Sequence, residues 1–103
     1  MDAGVLYWER RDEADRTDLA LAALKLCQAL KGTDGVQDAR LYFSRTDCPT
    51  ILVHVDSADV MDRVLFAPAV SAAHFAVGEL ARHTRTERWY DAATAKAMYD
   101  AGH

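Results

Sequence analysis

Four short segments rich in β-branched and aromatic residues alternate with two longer apolar segments of helical period, and this order admits very few folds. Val5 to Arg11 (VLYWERR) reads as a first strand, Val36 to Arg45 as a second, Thr50 to Asp56 as a third and Thr84 to Tyr90 as a fourth. After the first strand, Leu19, Ala23, Leu26 and Leu30 recur at helical spacing, with Ala22 and Cys27 beside them. Asp12, Asp15 and Asp18 crowd the start of that helix, where its dipole favours anions, and Lys31 lies near its end. Gly32 is expected to close it in the left-handed conformation. Thr46-Asp47-Cys48-Pro49 forms a tight connection, so the second and third strands should pair as a hairpin. Pro68 suits a helix's first turn and disrupts its interior. The region after the third strand therefore divides into helices over about 58–67 and 68–83, or one helix kinked at Ala67. Ser57 or Asp59 can cap the first of these. Ala92 to Ala101 is a further helix, capped by Asp91 and followed by Gly102.

The resulting order, β-α-β-β-α-β with a short C-terminal helix, predicts an α+β fold of the ferredoxin-like kind, an antiparallel sheet covered on one face by helices. The 103 residues suffice for one compact core, and no repeat or linker divides them, so a single domain over 1–103 is expected. With 12 basic against 16 acidic side chains the net charge is −4, which argues against general nucleic-acid binding. The longest apolar run, Leu19 to Leu24, falls well short of the roughly 20 residues needed to span a bilayer. The first residues carry no basic stretch followed by an apolar block. Cys27 and Cys48 lack the paired spacing of a zinc or redox motif, as expected for two reduced thiols in a cytoplasmic protein.

Strand alternation predicts one face through Val5, Leu41, Phe43, Ile51, Val53 and Val55 beneath the helices, and a second through Leu6, Trp8, Arg40, Tyr42, Leu52 and His54. A mixed face with large aromatic side chains is the kind of patch that marks an interface. A two-fold homodimer joined through it is expected.

His74 is the most informative single position. It lies within an apolar helical stripe of Phe66, Val70, Ala73, Val77, Leu80 and Ala81. Burying imidazole among such residues costs free energy unless its nitrogens find partners, so the ring is either bonded to a backbone or hydroxyl group or kept for chemistry. A histidine in that setting can act as general base, proton donor or iron ligand. His54 is expected at the interface, and His83 and His103 in solvent. No His-x-x-x-His or Cys-x-x-Cys spacing occurs, so no preformed metal site is expected. Tyr7, Trp8, Tyr42, Phe43, Phe66, Trp89 and Tyr90 supply aromatic walls for a cleft that would take a flat organic molecule, or else simply fill the core and interface.

The segment Leu65-Phe66-Ala67-Pro68-Ala69-Val70-Ser71-Ala72-Ala73-His74 resembles a helix of the dimeric α+β barrel proteins, in particular the antibiotic-biosynthesis-monooxygenase type, which includes haem-degrading monooxygenases. The resemblance implies a homodimer whose two sheets join into a barrel, with a pocket in each subunit between sheet and helices. It implies a small monooxygenase-like enzyme, without a resident cofactor, acting on a flat aromatic or polyketide-like substrate. His74 and Tyr7 would be the catalytic residues, and Trp8, Tyr42, Phe66, Val70 and Trp89 would line the substrate site. Two other readings follow from the same residues: a haem-binding or haem-degrading protein with His74 as proximal ligand, and a non-catalytic dimeric module that binds a small molecule.

Overall fold

A computed structural model of the chain describes residues Met1 to Gly102. Its elements are β1 (Asp2–Arg10), α1 (Arg16–Lys31), β2 (Val36–Phe43), β3 (Pro49–Val55), a single 3-10 turn (Ala58–Val60) leading into α2 (Met61–Val64), α3 (Pro68–Gly78), β4 (Ala81–Trp89) and α4 (Ala92–Asp100). The four strands form one sheet in the order β2-β3-β1-β4, with every neighbouring pair antiparallel. The expected α+β, ferredoxin-like βαββαβ architecture with a short C-terminal helix is therefore the observed one. No single helix among the described residues is long and apolar enough to cross a membrane.

Local chemistry accounts for the element ends. The Asp15 side chain accepts from Asp18 N at 3.0 Å to start α1, and Asp91 accepts from Thr94 N at 2.8 Å to start α4. Pro68 opens α3 at the first helical position, where a missing N–H costs nothing. Gly32 ends α1 with φ −87°, so it is not left-handed as expected; the three-residue turn to β2 places that requirement on Gly35, at φ +87°. The expected helix over 58–67 breaks into the 3-10 turn and the four residues of α2, because Asp2 of β1 takes up the Ala58 amide with its Oδ2 at 3.0 Å and fixes the chain there.

The core lies between the helices and one sheet face. Leu19, Leu26 and Leu30 of α1 and Val70 and Val77 of α3 are fully buried against Leu6, Ile51, Val53 and Val55. Truncating any one of the leucines to alanine should cost about 2–5 kcal/mol. Gly4 also lies on this face, and a Cβ there would overlap Met61 Sδ.

Two sequence expectations about orientation are corrected here. First, the faces of β1 are exchanged. Leu6 pairs with Ile51 and Val5 with Leu52, so Leu6 and Trp8 point to the helices while Val5 and Tyr7 point to the open face. Val5, Leu6 and Trp8 are all apolar, so alternation in β1 alone cannot choose; its partner β3, which alternates cleanly, does. Second, α3 ends at Gly78 rather than at residue 83, and β4 begins at Ala81 rather than at Thr84. Arg11 holds this turn by donating from its side chain to Gly78 O and from its backbone to Leu80 O. His83 is therefore a half-buried strand residue, not a solvated helix end. His103 lies outside the described residues.

Candidate active site

Trp8, His74 and His83 come together between α3 and the helix-facing side of β1 and β4. Their ring centroids are separated by 5.8 Å (Trp8 to His74), 5.2 Å (Trp8 to His83) and 5.1 Å (His74 to His83, edge-on at 85°). Trp8 is 3% exposed, and the two histidines are half-buried.

A β-bulge creates this cluster. Tyr7 pairs with Arg85, but the next residue, Trp8, pairs with His83, so Thr84 is an extra residue in β4. Its hydroxyl donates to Tyr7 O at 3.2 Å and settles the bulge. Had the regular register continued past Arg85, Thr84 would lie opposite Trp8 and His83 would point outward.

The electrostatics of the cluster are unusual. Trp8 Nε1 and His74 Nε2 are both sealed from solvent without a hydrogen-bond partner. Each such orphaned group costs about 1–3 kcal/mol. Burial pushes the His74 pKa below the ordinary histidine value, and a charge on His83 pushes it further down. Burial also lowers His83, with a smaller opposing effect from the Arg85 carbonyl. Both imidazoles are thus neutral near neutral pH and able to accept a proton.

The other residues expected at the site lie apart from it. Tyr7 is on the opposite sheet face, where its hydroxyl donates to Glu87 Oε1 at 3.0 Å and the Arg85 guanidinium covers its ring at 3.8 Å. Burial and Glu87 raise the Tyr7 pKa, so the phenol stays protonated and is no base at neutral pH. Trp89 shares that face and donates from Nε1 to the same Glu87 oxygen at 3.2 Å. Tyr42, on the edge strand β2, lines a hollow of about 580 Å³ on the open face with Arg40, Leu52 and His54. Phe66 is not in the apolar stripe: it is 81% exposed in the α2–α3 connection, beside a groove of about 640 Å³ lined also by Gln28, Thr33, Arg63 and Pro68. Val70 is a core residue of α3. Of the residues proposed from sequence, the fold therefore unites His74 with Trp8, and adds His83. The only sequence signal for His83 was an imidazole immediately before the strand-like TRTERW stretch, assigned to a helix whose end was placed too late.

The haem reading and the substrate reading both put a ligand at His74, whose Nε2 is sealed among neighbours that include the Trp8 and His83 rings. No group of three or more His, Cys, Asp or Glu residues among the described residues is arranged to hold a metal ion.

No protein-family profile matches the chain, and no curated protein matches its sequence. Solved structures do match its fold. SnoaB of Streptomyces nogalater, described as a cofactor-independent oxygenase, superposes with a TM-score of 0.73 at 11% identity, covering 86% of this chain and 90% of its own. Rv0793 of Mycobacterium tuberculosis gives 0.67 at 19% identity, covering 86% and 92%. A putative antibiotic biosynthesis monooxygenase of Nitrosomonas europaea gives 0.74 at 6% identity, covering 89% and 99%. The chain shares the α+β fold of these structures.

Proposed function

We propose that the protein is a small cofactor-independent oxygenase acting on a flat aromatic or polyketide-like compound, with its reaction centre at Trp8, His74 and His83. The observation that carries this reading is the pair of neighbouring buried ring nitrogens, Trp8 Nε1 and His74 Nε2, left without partners in an apolar interior. A bound molecule with oxygen atoms would satisfy them and offset that cost. The oxygenase neighbours in fold support the same class of chemistry.

The chemistry needs only a base, a dry site and dioxygen. A histidine takes a proton from the activated carbon of an anthrone, and the electron pair stays on the substrate as a delocalised anion. That anion reduces dioxygen and forms a carbon–oxygen bond, and the returned proton gives a hydroperoxide. Loss of the remaining proton at that carbon, with cleavage of the O–O bond, yields the quinone and one water. In this reading Trp8 Nε1–H and a protonated His74 Nε2 donate to the substrate oxygens, where charge develops.

The open sheet face completes the proposal. Tyr42 and Trp89 are exposed on it, with a strip of half-buried Leu52 and buried Val5 between them. A second copy covering this strip makes the homodimer. The two cysteines, both free, fit a reducing cytoplasmic setting.

Dithranol, a dihydroxyanthrone, is a suitable probe. The purified protein should consume one dioxygen per quinone formed, and His74→Ala should lower that rate about 10²-fold or more while the fold persists. No oxygen uptake above the uncatalysed rate, or an unchanged rate in the variant, contradicts the proposal.

A further inference from the structure

We propose that His83 is the proton acceptor of this site, held by the Arg85 carbonyl as the Nε2–H tautomer, with His74 serving as its hydrogen-bonding neighbour. The inference rests on the oxygenase reading above and divides the labour between its two imidazoles.

His83 Nε2 lies 3.1 Å from Arg85 O and 3.1 Å from Thr86 Oγ1. A carbonyl oxygen can only accept, so Nε2 carries the proton and shares it with the threonine oxygen. The neutral ring then has its basic lone pair on Nδ1. This is how enzymes prepare an imidazole base: one nitrogen is tied to a fixed acceptor and the other is left for the substrate. Both anchors belong to β4 itself, and Arg85 follows directly on the bulge residue Thr84. The bulge that turns His83 inward therefore also places the carbonyl that fixes its tautomer.

His74 has no such anchor. Its Nε2 is orphaned and sealed, and nothing fixes its tautomer from that side. It suits a group that hydrogen-bonds the substrate and the developing anion rather than one that must be basic at a defined atom. In the step itself, the substrate's acidic C–H or O–H bond breaks and its proton passes to His83 Nδ1. The electron pair remains on the substrate and passes to dioxygen. The His83 imidazolium then returns the proton to the peroxide oxygen, restoring the neutral ring.

The titratable group packed against His83 is His74 of α3, with Trp8 of β1 as the third ring. Arg10, further along β1, is engaged with the Ala14 carbonyl, and Arg85 and Glu87 are paired on the other sheet face. A charge change at His83 is thus felt chiefly by His74.

The test uses His83→Gln, whose side-chain amide can still donate to Arg85 O but has no basic lone pair. With dithranol, the wild type should show an acid limb in kcat/KM as His83 becomes protonated. His83→Gln should lose that limb and fall about 10²-fold or more, with an unchanged circular dichroism spectrum. His74→Gln should be slower but keep the limb. NMR of the histidine ring nitrogens in the resting protein should show His83 as the Nε2–H tautomer. An Nδ1–H tautomer for His83, or a His83→Gln protein that keeps the limb, overturns this assignment alone. A wild type that consumes no oxygen overturns the oxygenase reading and this assignment with it.

Discussion

Trp8 and His83 face each other at 5.2 Å across the β1–β4 pairing, with their planes inclined by 33°. They do so only because β4 carries one residue more than β1 at that point. Deleting Thr84 should make the pairing regular and leave His83 opposite Trp8, while removing the bulge that aims the Arg85 carbonyl at His83 Nε2, so turnover should fall although the indole and imidazole NMR signals still report the stack. A deletion protein that retains full oxygen uptake would show that the bulge is not part of the site.

Acid should weaken the fold through the same rings. Both folded-state histidines bind protons less readily than the ordinary value of 6.5. Between that value and the lowered folded ones, the unfolded chain holds more protons than the folded chain. Stability is thus fully present above this window and falls as pH drops through it. The Tm should decline as the pH falls below about 6.5, and a His74→Phe, His83→Phe protein should lose most of that decline. An identical slope in the double variant would show that the rings are not desolvated.

Gly4 should tolerate no side chain. Its added Cβ would overlap Met61, a buried residue that anchors the α2 segment to the sheet. Gly4→Ala should cost about 1–3 kcal/mol in urea unfolding. Adding Met61→Ala should recover part of that loss as a positive coupling between the two sites. Strict additivity would remove the steric explanation.

The open sheet face should hold two copies together. Light scattering at micromolar concentration should give twice the chain mass of 11.4 kDa. Leu52→Glu places a charge at the middle of the strip and should give a folded monomer. A monomeric wild type would contradict the homodimer.

How much of this was legible in the sequence differs from element to element. The order of strands and helices, the caps at Asp15 and Asp91 and the break at Pro68 follow from local preferences, which the fold obeys. The orientation of β1 was not legible: Val5, Leu6 and Trp8 satisfy either face, and only the register against Ile51 and Leu52 decides. The inward turn of His83 was hidden for a related reason. A bulge is set by cross-strand pairing, and nothing in the residues Arg82 to Arg85 announces it. Phe66 was misplaced because it continues the apolar period of α3, yet that helix starts only at Pro68, two residues later, and leaves the ring in the preceding connection. His74 was recognisable because a single imidazole interrupts an otherwise apolar stripe. That its Nε2 would be left without a partner required the coordinates.

The most direct test lies in the two indole N–H signals of the protein, from Trp8 and Trp89. Lawsone, a hydroxynaphthoquinone, resembles the flat oxygenated product the site should hold. On its addition the Trp8 indole proton should move strongly downfield as Nε1–H gains an acceptor, while Trp89, already bonded to Glu87, should hardly move. A Trp8 signal that stays in place at saturating lawsone, or a response confined to Trp89, would contradict the claim that these orphaned nitrogens await a ligand.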